Sequence, residues 1–413
     1  MRKAVVVALG LALSVLVAGP IRAQTLYEEE FIFDPEVEDH GHVHASCIVE
    51  CPNGDLRAVW YENGTTLPAP YYSERRDKSD DVRIGGSRKA KGADAWEKPF
   101  VMSDTFGVSD NNPCMVIDAQ ERLWLVRPTL LGVPDWTWGS ALVRYSVSSD
   151  YQKPGVPTWD KKDILVPHPT GLEAVLENTA KLWGERRNLP QLAREGLLKR
   201  AMTRLKDPLV PRLGWMPRAH PLIRSDGTLV LPLSNENFDI ATMAMTNDGG
   251  ETWTLSKPVP EAGVTQPTLV EFPDRTITAF FRNSGPERRI KRSESKDGGM
   301  TWSALTVTDL LHPGAGIEAI LLRNGHLLMI YNDKERSPRD RLAVSISTDR
   351  GKTWKWTRHL ENTPGGRFDY PSIVQAKDGT LHATYSFHLK TIKHVHFNEA
   401  WVQEGDPEER PAI

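Results

Sequence analysis

The chain has 413 residues, with 51 Lys and Arg against 54 Asp and Glu, a formal net charge of −3, and no basic run longer than a few residues. This excludes the basic face or stripe that a nucleic-acid partner requires and leaves small or extended neutral ligands. The length is ample for a large core, either as two or three domains or as one repeat architecture. In chain order, MRKAVVVALGLALSVLVAGPIRAQ joins two basic residues, an apolar run too short for a membrane span, and small residues ending near Ala23. It reads as a signal peptide over residues 1–23, so a secreted or periplasmic location is expected, with the mature chain, 24–413, as one domain. LYEEEFIFD follows and has the length of a strand. Of three cysteines, Cys47 and Cys51 lie four residues apart in a predicted strand. Their α-carbons would stand about 13 Å apart, too far for a disulfide, so buried thiols are expected.

Six segments then show an apolar strand, a tight turn and a second apolar strand. They are CIVECPNGDLRAVWYEN, CMVIDAQERLWLVRP, PLIRSDGTLVLPLSNEN, PTLVEFPDRTITAFFRN, AILLRNGHLLMIYND and PSIVQAKDGTLHATYSF. Apolar residues flanking PNG, SDG, RNG and KDG are hairpin signals. After each of the first five comes another pair of strands. In three cases these enclose one frame, TNDGGETW at 246–253, SKDGGMTW at 295–302 and STDRGKTW at 347–354, with worn versions closing on Trp96 and Trp159. A recurrence at intervals of about fifty residues marks a repeated supersecondary unit. Six four-stranded units predict an all-β fold, a six-bladed β-propeller. The last unit, TIKHVHFNEAWV, supplies only one further strand, so LYEEEFIFD is expected to cover the open edge and close the ring. The exception to the β pattern is a helical insertion at about 168–213, where Leu172, Val175, Leu176 and Leu182, then Leu197, Leu198, Ala201 and Leu205, recur at helical spacing. It reads as a helical hairpin, and as a lid over the channel mouth if it is functional.

The repeated frame, Ser/Thr-x-Asp-x-Gly-x-Thr-Trp, resembles the Asp box, or BNR repeat, of the sialidase (neuraminidase) superfamily. There it sits at the blade periphery and has no part in the chemistry. Its residues suit a structural role, in which Asp accepts turn amides, Gly takes positive φ and Trp packs between sheets. HASCIVECPNGDL, NNPCMV, TQPTLVEF, FFRNSG, MIYND and DYPSIVQAKDGTLHATYSF strengthen the likeness to exported bacterial sialidase-like BNR proteins. The resemblance implies a sialidase-like fold and says less about the reaction.

Chemistry is expected where residues just ahead of each hairpin converge on the channel mouth: His44, Asn112, Arg218, Gln266, Glu318 and Tyr370, joined by Arg282, Asn332 and Tyr385. This mixture suits a hydroxyl-rich acidic sugar. The family resemblance implies Tyr370 as nucleophile, Arg282 and Arg341 as carboxylate-binding arginines, and Asp81, rivalled by Asp80, as acid/base. Two positions depart from it. His44 stands for the first-blade arginine, and Gln266 for the glutamate that would activate the tyrosine; glutamine cannot take a proton. Catalytic roles are therefore assigned to Tyr370, His44, Asp81 and Gln266, and substrate binding to Arg282, Arg341, Arg218, Asn112, Asn332 and Tyr385. His40, His42 and His44 alternate along one strand, but no matching carboxylate cluster accompanies them, so neither metal nor cofactor is expected. Each residue also has a plain reading, Tyr370 as strand entry and Arg282 as a rim ion pair. The expected function is exo-α-sialidase-type hydrolysis of a carboxylate-bearing sugar. The alternatives are a uronate lyase using His44, Tyr370 and Arg282 as base, acid and cation, and a non-catalytic propeller that grips acidic glycans.

Overall fold

Period-two apolar runs between tight turns form six antiparallel sheets in the computed structural model, which describes residues 24–63, 77, 82–132, 137–187, 190–283 and 285–407. Each sheet is one blade of a β-propeller. The first runs outward from Val43–Glu50 through Leu56–Glu62 and Arg83–Lys89 to Phe100–Ser103. The fourth starts at Val264–Glu271, the fifth at Glu318–Leu321 and the sixth at Phe368–Gln375. In the second and third blades the inner strand is broken, into Ser109–Asp110 and Cys114–Ile117, and into Trp215–Met216 and Leu222–Ile223. The sixth blade is closed by Tyr27–Phe31, which pairs antiparallel with Thr391–Phe397, Tyr27 opposite Phe397 and Phe31 opposite Lys393. A short helix, Glu399–Gln403, follows; its Asn398 cap and Trp401, stacked 4.5 Å from Tyr27, pin the junction. Sequence pattern alone did not signal this helix.

The repeated frames hold their turns identically. Asp248 accepts the Thr252 amide at 3.0 Å, Asp297 that of Thr301 at 2.9 Å and Asp349 that of Thr353 at 2.8 Å. In each frame the leading Ser or Thr hydroxyl accepts a glycine amide, Gly250, Gly299 or Gly351. Gly250 takes φ +81°, and a Cβ there would meet Tyr145 Oη at 3.0 Å and Trp124 at 3.1 Å, so both the conformation and the contact require glycine. Trp253, Trp302 and Trp354 pack on the apolar layers between blades. Cys47, Cys51 and Cys114 are free and buried.

The centre of the ring is braced by a buried ion pair. His220, from the third blade, donates Nδ1–H to Glu318 of the fifth at 2.7 Å and Nε2–H to the Ile48 carbonyl of the first at 2.7 Å. The other Glu318 oxygen accepts the Ile373 amide of the sixth blade at 3.0 Å. Both ring nitrogens face acceptors, so the ring is an imidazolium. Burial opposes that charge, but Cys47 and Glu318 outweigh it and lift His220 well above its ordinary pKa. Burial likewise opposes the Glu318 carboxylate, and His220 and Arg218 hold its pKa below the usual value. Glu318 is thus a girder across the channel and lies away from its mouth.

The insertion forms two helices, α1 (Leu172–Arg187) and α2 (Gln191–Leu205). α1 buries Leu172, Val175 and Leu176 against Phe238, Ile240 and Ala262 of the third blade and its neighbouring loop. Among the described residues, no helix is long and apolar enough to cross a membrane.

Candidate active site

The pseudo-six-fold repeat fixes which residues face one another at the mouth. Ala45, Asn112, Arg218, Gln266, Gly316 and Tyr370 each lie nine residues before a left-handed turn residue, Gly54, Glu121, Gly227, Arg275, Gly325 and Gly379 in the same order. These positions coincide with a bulge, a break or the start of the inner strand. Four are themselves left-handed without being glycine: Ala45 (φ 58°), Asn112 (33°), Gln266 (49°) and Tyr370 (52°). Such a residue costs on the order of 1–3 kcal/mol, and the bulge it forms re-aims its side chain out of the strand's alternation. The first blade contributes Ala45 rather than His44 at this level, and the fifth contributes Gly316 rather than Glu318.

Small residues at those two places make room for large ones. A Cβ on Gly316 would lie 3.1 Å from the Tyr370 ring and 3.4 Å from Arg218 Nε. Tyr370, only 8% exposed, accepts Arg282 Nη1–H at 2.8 Å and Gln266 Nε2–H at 3.2 Å on its phenol oxygen. Gln266 Oε1 in turn accepts Arg282 at 3.3 Å, which turns the amide so that its NH2 faces the phenol. The Arg218 guanidinium lies 4.9 Å from the Tyr370 ring centre and that of Arg339 lies 5.7 Å away. The His44 ring meets the tyrosine edge-on at 4.3 Å, with Nδ1 2.9 Å from Ser386 Oγ. Burial keeps His44 neutral, well below its ordinary pKa. For Tyr370, burial opposes ionisation, yet Arg282, Arg339 and the Gln266 hydrogen bond together bring the phenol below its ordinary 10.0. The arrangement is a buried phenol, more acidic than usual, surrounded by guanidinium groups.

Other expected residues are placed differently. Arg341 stands exposed at the start of Arg341–Ser347, and the guanidinium beside Tyr370 is that of Arg339. The reason is local: the Arg339 carbonyl pairs with the Phe368 amide, and its guanidinium meets Asp369, next to Tyr370, at 2.7 Å. Arg218, 1% exposed, is sealed beneath the tyrosine and donates to the Ser46 and Pro371 carbonyls, so it supports the ring instead of lining the pocket. Asn332 spends its amide on the carbonyls of Arg341 and Phe368, holding the loop that carries Arg339. Asn112 is buried with its Nδ2 3.4 Å from Met216 Sδ. Tyr385 is fully buried and donates to Glu361, which also takes Lys393; it lies in the seam between the fifth and sixth blades, away from the cluster. Asp81 and its rival Asp80 lie outside the described residues.

Arg339, Asp369 and His312 were missed. Asp369 is legible afterwards as the residue preceding Tyr370 in FDYP, positioned to draw in an arginine. His312 is fully buried, and among the described residues neither of its ring nitrogens has a hydrogen-bond partner. Burial first, then Arg282, Arg339 and Arg288, push its pKa down to about 3, so it is neutral. Nothing in its sequence context marked it.

Comparison with known proteins agrees with this architecture. Residues 198–383 match the BNR repeat-like domain family. The chain is 30% identical over 210 residues to a sialidase of Paraclostridium sordellii, covering 44% of this chain and only half the length of that relative. It is 22% identical to a sialidase of Bacteroides fragilis over 94% of this chain and 70% of that one. The solved NanB sialidase of Streptococcus pneumoniae superposes with a TM-score of 0.62 at 12% identity, over 88% of this chain and 70% of that one. Six blades with peripheral turns of the Asp-box type thus share the propeller fold of the solved sialidase, and residues 198–383 are similar to the BNR repeat-like family.

Proposed function

We propose that the protein is an exported glycoside hydrolase of sialidase type, acting on a carboxylate-bearing sugar with Tyr370 as nucleophile. The observation that carries this reading is the phenol oxygen itself, which receives hydrogen bonds from Arg282 and Gln266 while two further guanidiniums flank its ring. A planar guanidinium matches a carboxylate in charge and geometry, so Arg282 and Arg339 hold the sugar's acid group. Tyr370, its proton lost to solvent, attacks the anomeric carbon as the phenolate while the Asp81 carboxyl, the assigned acid, gives its proton to the departing oxygen; the Asp81 carboxylate then takes a proton from water, whose oxygen displaces the phenolate and releases the free sugar. A tyrosine nucleophile avoids the repulsion a carboxylate would meet beside an anionic sugar. Where a glutamate would remove the phenol's proton, Gln266 donates to the oxygen, and the cations lower its proton affinity instead.

One observation favours a second reading: Gln266, which stands where a proton acceptor was expected, donates to the phenol oxygen instead. A phenolate could instead act as base, taking the proton beside a uronate carboxylate while Arg282 stabilises the enolate-like intermediate. Incubation with a sialoside reporter and with uronate polysaccharides separates the two. Free sialic acid supports hydrolysis, an ultraviolet-absorbing unsaturated product supports elimination, and binding without turnover leaves a lectin-like propeller. N-terminal sequencing of the exported protein tests the leader, which should end near Ala23.

A further inference from the structure

Three imidazoles stack where the sixth blade meets the first, on the wall of a cavity of about 490 Å³ none of whose lining residues belongs to the Tyr370 cluster. Strand pairing puts them there. His382 of Leu381–Phe387 stands directly opposite His396 of Thr391–Phe397, and His394, two residues earlier on that strand, shares its face. On the other side of Thr391–Phe397, Glu28 stands opposite His396 and Glu30 opposite His394. The His382 and His396 rings are parallel within 4° at 4.3 Å, and those of His382 and His394 within 8° at 5.2 Å.

The hydrogen bonds fix where the protons sit. Glu30 accepts His394 Nδ1–H at 2.9 Å, and it also takes Lys89 Nζ at 2.6 Å and Trp96 Nε1–H at 3.2 Å from the first blade, so one carboxylate ties the closing strand to both neighbours. An ionised carboxylate only accepts, so His394 carries its proton on Nδ1 and accepts at Nε2; His382 Nδ1–H, 3.0 Å away, is the donor. A second proton on His394 sets two N–H groups face to face across that distance, and a charge on His382 lies against two further imidazoles. Burial first, then His394, His396 and Lys89, bring the His382 pKa down to about 3, while Asp378 on the adjoining turn pulls the other way. Burial, with Lys89 and His396, outweighs Glu30 and lowers His394 as well. Of the other charged groups on the cavity wall, Glu28 meets His396 at 3.2 Å, Glu29 takes Lys393 and Tyr27, and Glu50 accepts the Lys377 amide; Lys91 and Asp94 belong to the loop after Arg83–Lys89.

We propose that His382, His394 and His396 form an acid-sensitive latch on the ring's closing junction, shut while His382 and His394 share one proton and released when both are charged. His382 is the moving part: it is only half-buried, it lines the cavity, and Asp378 favours its charge. Once it leaves the stack, His394 loses its donor and the pairing of Thr391–Phe397 with its neighbours loosens. The latch goes beyond the proposed function and does not rest on it. Between about 3 and 6.5 the unfolded chain holds a proton on residue His382 that the closed latch refuses, so stability falls as pH drops through 6.5. Burial opposes the Glu30 charge, but His394 and Lys89 lower its pKa to about 2, so Glu30 stays ionised throughout that window.

Urea unfolding of the full chain tests this against His382→Asn, whose amide keeps a donor toward His394 and takes no charge. From pH 7.5 to 4.5 the ratio of wild-type to variant folding constants should fall about a hundredfold, and a fall of less than about tenfold overturns the proposal. Amide hydrogen exchange, corrected for the intrinsic effect of pH, then locates the opening. In wild type, protection of Thr391–Phe397 should drop about tenfold or more from pH 7 to pH 5 while Ile277–Asn283 of the fourth blade keeps its own. In His382→Asn both strands should stay protected. Equal loss in the two wild-type strands overturns the latch, because the acid effect then belongs to the whole ring. Should circular dichroism show His382→Asn unfolded at pH 7.5, His382→Phe, which keeps a ring against His396, takes its place with the same outcomes expected.

Discussion

Replacing Arg282 by leucine removes the cation that donates to the Tyr370 oxygen at 2.8 Å. With the guanidinium charge centred roughly 4 Å from that oxygen and an effective dielectric constant of about 20, the lost attraction for a phenolate is about 4 kcal/mol, or about three pKa units. Arg339 remains and water enters the space, so the rise expected is about one to three units. Ultraviolet titration reads it: among nine tyrosines, the difference between each protein and its Tyr370→Phe counterpart isolates one phenol. In the parent protein this phenol should ionise below 10.0. Between its folded value and 10.0 the unfolded chain binds more protons, so stability from this group grows as pH rises through that window and is absent below it. In Arg282→Leu both the low midpoint and the alkaline gain should disappear. A midpoint that stays put or falls would refute the cationic activation of Tyr370.

Tyr370→Phe should abolish turnover, by about a hundredfold or more, with thermal unfolding unchanged, because the ring's packing is kept while its oxygen is lost; near-normal kcat would remove it from the chemistry. Gln266→Glu puts a proton acceptor beside the phenol and should raise kcat on a sialoside reporter about tenfold to a hundredfold; a fall would favour elimination over hydrolysis. Glu318→Gln leaves a buried imidazolium unpaired and should cost about 3–5 kcal/mol in urea unfolding. The Glu318 contribution is present above its unfolded pKa near 4.5 and lost as pH falls through the lower folded value; that of His220 is present below 6.5 and lost as pH rises through the higher folded value. The difference between wild type and variant should therefore be greatest from pH 4.5 to 6.5, and a flat difference would contradict the ion pair. Asp297→Ala removes acceptors from one exposed turn and should cost about 1 kcal/mol while activity is untouched, as judged by Tm and kcat/KM.

The propeller was legible because its signals are local and repeated. Three copies of one turn, together with apolar pairs around Asn-Gly and Asp-Gly, impose the same four strands wherever they occur. LYEEEFIFD was assigned to the open edge by the same logic, and Tyr27–Phe31 occupies it. Which side chains meet around the proposed site was legible where a repeat position could be counted from its turn, as for Gln266 and Tyr370. His44 missed that count by one residue because the inner strand bulges at Ala45, a backbone event without a composition signal. Arg339 could not be told from Arg341, since the choice depends on how the loop from Asp333 to Asp340 folds and on the pull of Asp369, thirty residues away in sequence. Tyr385 looked available because a tyrosine near a strand end often is; its partner Glu361 belongs to a different blade. The bonds that decide these cases join blades, and no single blade's sequence contains them.

The pairing of Tyr27–Phe31 with Thr391–Phe397 makes the ring's last seam a marriage of early and late chain. During synthesis the first of these segments must wait for the other, with every intervening blade between them, so the sixth sheet cannot be completed until Thr391–Phe397 has been made. Until that moment Thr391–Phe397 presents an unsatisfied border, and a second molecule could supply its own Tyr27–Phe31 strand. Exchange of that segment between neighbours is consequently the misassembly to which this toroid is most open, and shortening it would turn a closed circle into a sticky one.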